Sequence, residues 1–134
     1  MSVLVSYIPT PEGWAAYQLG LEEAKLRGTS LVVVNVRTGN NAASVTSADE
    51  KDLDDVRSGL VAEGIPHEIV QVVDAVNAAD AILKIASERQ TDLIVVGLRR
   101  RSPVRMALLG SNAQQIILAA ECPVLSVRPA ASTG

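Results

Sequence analysis

Leu93-Ile94-Val95-Val96-Gly97 is an unbroken aliphatic run closed by a glycine. A strand with one wet face would alternate apolar and polar residues; an unbroken run describes a strand covered on both sides, as in a parallel sheet layered between helices. Leu31-Val32-Val33-Val34 has the same character. Working outward, further β-branched runs give strands at Val3 to Ile8, Ser30 to Val36, Glu68 to Val73, Leu93 to Gly97 and Val124 to Val127.

Between these runs apolar residues recur every three to four positions, with helix starts and stops marked. Thr10 stands as an N-cap before Pro11, and the helix leads through Trp14, Tyr17, Leu21 and Ala24 to Gly28. Ser47-Ala48-Asp49-Glu50 has capping-box spacing and opens a helix carrying Leu53, Val56 and Leu60 toward Gly64. A third helix starts near Asn77 with Ala81, Ile82, Ile85 and Ala86 on one side, and a fourth at Gly110-Ser111, where Ser111 and Gln114 repeat the capping-box spacing. Strict alternation of strand and helix predicts a single α/β domain: a doubly wound, open, parallel five-stranded sheet with helices on both faces. The expected domain spans 1–129, with 130–134 a flexible tail.

Composition narrows the function classes. A chain of 134 residues with formal charge -3 and a pI of about 5.1 lacks the global positive field of a nucleic-acid binder, and with no Phe, one Trp and two Tyr it has few platforms for stacked bases. The N-terminus has no signal-peptide pattern and no run is long enough to span a bilayer, so the cytoplasm is the expected location. The lone Cys122 has no disulfide partner and reads as a packed residue entering the last strand. His67 has no companion at metal-ligand spacing and none for a triad, so no catalytic residue or structural zinc is expected. The acidic cluster Asp49, Glu50, Asp52, Asp54 and Asp55 falls around a solvated helix.

Ligands of open α/β sheets bind beyond the carboxyl ends of the strands, where strand order reverses. That edge gathers the ends of strands one and four. Gly97 closes strand four, the basic loop Leu98 to Leu109 follows, and Gly110-Ser111 opens a helix whose free N–H groups favour an anion. Arg99, Arg100, Arg101 and Arg105 are placed to clamp phosphates or, as a charge run, to be solvated; Ser111 reads equally as a simple N-cap.

In this segment the chain resembles the universal stress protein family. Nucleotide-binding members carry glycine, two residues, glycine, nine residues, then Gly-Ser or Gly-Thr; Gly97, Gly110 and Ser111 stand in that frame, while Arg100 replaces the second glycine. Cys122-Pro123-Val124 looks like the family's last strand, and the resemblance spans nearly the whole chain. It implies strand order 3-2-1-4-5, a regulatory role in stress response and an ATP site, with Mg2+, formed by Ser6, Ile8, Val36, Gly97, Arg99, Arg100, Arg101, Gly110 and Ser111. Ile8 occupies the position where ATP-binding members place an aspartate, which removes one polar anchor. It also implies a homodimer paired through Val124 to Val127, and leaves as alternative a dimeric interaction protein that has lost the nucleotide.

Overall fold

A computed structural model describes residues 1–38, 50–98 and 110–129. Strands β1 (Ser2–Ser6), β2 (Ser30–Thr38), β3 (His67–Ala75), β4 (Thr91–Gly97) and β5 (Val124–Val127) alternate with helices α1 (Pro11–Arg27), α2 (Glu50–Glu63), α3 (Ala78–Glu88) and α4 (Ser111–Ala119). All strand pairs are parallel, in the order β3-β2-β1-β4-β5. The expected doubly wound sheet is therefore present, with its reversal of strand order between β1 and β4.

Alternate residues of each strand face opposite layers, as the two-residue period requires. Val3, Val5, Leu31, Val33, Leu93 and Val95 point to the layer of α1 and α2, meeting Ala16, Tyr17, Ala24, Leu53, Val56 and Leu60. Leu4, Val32, Val34, Val36, Ile94 and Val96 point the other way, onto Ala79, Ile82, Ile85 and Ala86 of α3 and Ile116 of α4. Because β1, β2 and β4 are buried on both faces, their sequences show no alternation.

The buried residues of α1 are Gly13, Ala16, Tyr17, Gly20 and Ala24, four of them small, so this helix lies close against the sheet. A Cβ on Gly20 would stand 2.1 Å from Val5 Cγ2. Trp14, one of the apolar positions in the helical period, is 43% exposed and lies over Tyr17 with ring centroids 5.0 Å apart. Both ends of α1 carry the expected caps. Thr10 Oγ1 accepts from the Gly13 amide at 3.1 Å. Gly28 takes the left-handed conformation at φ 63°, and the Gly28 and Thr29 amides donate to the Lys25 and Ala24 carbonyls. In α3 the Asn77 side chain accepts from the Asp80 amide at 2.9 Å.

Boundaries differ from the sequence reading at four strands and at α4; β4 begins at Thr91 rather than Leu93. β1 stops at Ser6 rather than Ile8, although the Tyr7 amide still donates to the Val34 carbonyl at 2.8 Å. β2 and β3 run longer than the expected Ser30 to Val36 and Glu68 to Val73, since main-chain pairing continues between Leu31 and His67 and between Thr38 and Ala75. In α4 the cap is Gly110, not Ser111: the Gln114 amide donates to the Gly110 carbonyl at 2.9 Å, which makes Ser111 the first helical residue. The Ser47 capping box and the tail 130–134 lie outside the described residues.

Cys122 is half-buried against the α3 and α4 layer, and burial pushes its thiol pKa up. His67 begins β3, with Nδ1 2.9 Å from the Ile65 carbonyl oxygen. No described helix is long and apolar enough to cross a membrane.

Candidate functional site

A cleft of about 320 Å³ opens over the carboxyl ends of the strands, a volume at the lower end of the range for small-molecule sites. Ser6 at the end of β1, Ile8 just beyond it, Val36 from β2, and Val96 and Gly97 from β4 form its floor. Ile82 of α3 and Ile116 of α4 wall one side, and the first turn of α4, Ser111 to Ala113, forms the rim beside Gly110. Glu12 and Gly13 of α1 close the other side.

The cleft has this shape because of how the chain leaves β1. Asn35, fully buried in β2, donates from Nδ2 to the Tyr7 carbonyl at 2.9 Å, and its Oδ1 accepts from Gln71 Nε2 at 3.0 Å. The Thr10 amide then donates to the Ile8 carbonyl at 2.8 Å, turning the chain sharply into α1. Gly13 completes the turn, since a Cβ there would lie 1.8 Å from the Ile8 carbonyl oxygen. These contacts hold Ile8 and Glu12 at the mouth of the cleft.

The two motif glycines do different physical work. A Cβ on Gly97 would stand 2.2 Å from the Glu12 carbonyl oxygen and 2.6 Å from its carbon, so this glycine lets α1 seat against the end of β4. Among the described residues, nothing around Gly110 lies within 4 Å of where a Cβ would be. Its backbone is extended, at φ -61° and ψ 155°, and as a cap without a side chain it leaves the first amides of α4 with no cap acceptor. Those amides and the positive end of the helix face a space an anion can enter.

Of the residues expected from sequence, Ser6, Ile8, Val36, Gly97, Gly110 and Ser111 all line this one cleft. Arg99, Arg100 and Arg101, with Ser102 and Arg105, lie outside the described residues. Sequence reading missed Glu12, Ile82, Asn112 and Ile116. Glu12 had a signal in its place, the first turn of a helix that begins right after strand one; the isoleucines read simply as core. Among the described residues no group of three or more His, Cys, Asp or Glu side chains is placed to hold a metal ion.

Fold and cleft together define a doubly wound α/β domain with an open cleft at its topological switch point. The sequence model of the universal stress protein family matches residues 1–128. A universal stress protein of Mycolicibacterium smegmatis is 39% identical over 127 residues, covering 95% of this chain and 97% of the relative. The chain belongs to the universal stress protein family. Among solved structures, that of a universal stress protein from Archaeoglobus fulgidus superposes with a TM-score of 0.70 at 27% identity, covering 94% of this chain and 97% of that one. A structure of the universal stress protein from the same organism in complex with dAMP superposes with a TM-score of 0.64 at 24% identity, covering 94% and 96%.

Proposed function

We propose that this chain is an adenine-nucleotide binding module, with ATP and Mg2+ as its ligand and a regulatory rather than catalytic role in stress response. The observation that carries the reading is the convergence of Ser6, Ile8, Val36, Gly97, Gly110 and Ser111 on one cleft. The residues fit the ligand in kind. Val36, Ile82 and Ile116 offer flat aliphatic surface to a purine, and the first turn of α4 offers main-chain donors to phosphate. The dAMP-bound structure of a family relative supports an adenine nucleotide as the class of ligand.

Val36 would contact the base, and Gly97, Gly110 and Ser111 the phosphates, with Arg99, Arg100 and Arg101 adding positive charge from the loop that sequence places between them. Mg2+ would ride on the phosphates with its own waters, which needs no dedicated protein cage. Regulation would follow from nucleotide-dependent shape or choice of partner. Calorimetric titration of the purified protein with ATP and Mg2+, and with AMP, tests the reading. Saturable binding in the micromolar range is expected, and the absence of both heat and thermal stabilisation would overturn it.

A second reading, a homodimeric interaction protein that has lost its ligand, has its own observation. Ile8 presents an apolar side chain where it lines the cleft, while β5 is the outer strand of the sheet and Leu118 of the adjoining α4 is 77% exposed. An edge strand of this kind invites pairing with a second copy. Failure to bind nucleotide together with a stable dimer would favour it.

A further inference from the structure

We infer that Glu12 is the specificity-determining residue of the cleft: its carboxylate accepts hydrogen bonds from the ribose hydroxyls of the ligand, so that the site selects an intact ribonucleotide over a sugar lacking those donors. This rests on the nucleotide reading above and adds a residue and a chemical requirement to it.

Among the described residues that line the cleft, Glu12 is the one whose side chain carries a formal charge. No hydrogen bond or ion pair to its carboxylate forms among the described residues. Its backbone is tightly held. The Thr10 cap binds the following amide, and the missing Cβ of Gly97 admits the Glu12 carbonyl against the end of β4.

The sheet order fixes where Glu12 falls along the cleft. Val36 lies near the end of β2, Ser6 ends β1 and Gly97 ends β4, in that spatial order, over a row about 10 Å long at the usual spacing of adjacent strands. With a purine over Val36 and phosphate at the first turn of α4, the sugar lies between them. Glu12, seated on Gly97 at the β4 end of that row, reaches the cleft beside the sugar's path from the base to the first turn of α4.

A carboxylate is acceptor-only, whereas the exposed amides at the start of α4 are donor-only. A bare phosphate satisfies the amides and is repelled by Glu12; an uncharged nucleoside satisfies Glu12 and leaves the amides empty. A nucleotide with free ribose hydroxyls answers both, and bonds from hydroxyls to an ionised carboxylate are of the strong, charge-assisted kind. Ile8 is apolar and competes for none of them.

The test is titration of wild type and Glu12→Gln with AMP and with its dideoxy analogue lacking both ribose hydroxyls, after melting curves confirm that both proteins are folded. Wild type is expected to bind AMP about tenfold more tightly than the analogue, and Glu12→Gln to lose about tenfold on AMP with little change on the analogue. An unchanged AMP-to-analogue ratio in Glu12→Gln, or tighter binding of both ligands by it, would overturn the assignment, the latter because Glu12 would then stand against the phosphate. Wild type that binds neither ligand would overturn the nucleotide reading itself and this inference with it.

Discussion

Gly97 and Gly110 occupy equivalent places in one sequence frame, yet the space around each assigns them different tasks. Gly97→Ala forces a Cβ into the Glu12 carbonyl, which is backbone and cannot swing aside. Overpacking of this kind typically costs about 1–3 kcal/mol, so urea denaturation should show a loss in that range, with weakened nucleotide binding as α1 shifts. Gly110→Val should leave the fold nearly intact, because its backbone is extended and no described residue crowds the place of its Cβ. If phosphate docks on the first turn of α4, the added isopropyl group blocks it, and titration should find binding abolished in a protein that melts normally. Unchanged affinity would place the anion elsewhere. Asn35 shows why a buried polar residue interrupts an apolar strand: its amide holds the Tyr7 carbonyl and so sets the floor of the cleft.

At the scale of elements, α1 links stability to the site, since its first turn closes the cleft and its small inner face lies on the sheet. Thr10→Ala removes the acceptor of the Gly13 amide and should cost about 1 kcal/mol in equilibrium unfolding, as N-cap removals generally do. The start of β3 is tied to the end of α3 by a bidentate pair, Arg89 Nε and an Nη each 2.8 Å from a Glu68 carboxylate oxygen. The hydrogen bonds from Arg89 hold the Glu68 carboxyl below its usual pKa. A depressed folded-state pKa stabilises above the unfolded value, about 4.3, and that contribution fades as pH falls through the folded value. Both side chains are solvated, so the effect is small. Glu68→Gln should lower the melting temperature slightly at neutral pH, and the difference from wild type should shrink as pH falls below about 4.3 and vanish once it is below the depressed folded-state value.

For the molecule as a whole, the open question of assembly turns on β5. It is four residues long, pairs with β4 on one side and forms one of the two edges of the sheet, β3 being the other. Pairing with a second copy would satisfy its free main-chain groups and extend the sheet. Sedimentation at micromolar concentration should give a dimer, and a monomer there would count against assembly through this strand. Added nucleotide should raise the melting temperature with concentration, as any ligand bound only by the folded state must.

The order of elements was legible because unbroken runs such as Leu93 to Val96 admit only a doubly covered strand, and Thr10, Gly28 and Asn77 mark helix ends by local chemistry. The cleft residues at Ser6, Ile8, Val36, Gly97, Gly110 and Ser111 were legible through the motif frame and the rule that ligands sit at strand ends. Local sequence did not disclose that Trp14 turns outward, because helical periodicity does not say which side of a small-residue helix approaches the sheet. Nor did it show that Gly110 rather than Ser111 caps α4, a choice made by backbone geometry in the folded chain. Sequence by itself determined the fold class and the frame of the site, since periodicity and capping are properties of neighbouring residues. Only the tertiary structure decided that Glu12 belongs to the cleft and that Gly97 serves packing, because both facts arise where α1 meets β4, residues far apart along the chain that only folding brings into contact.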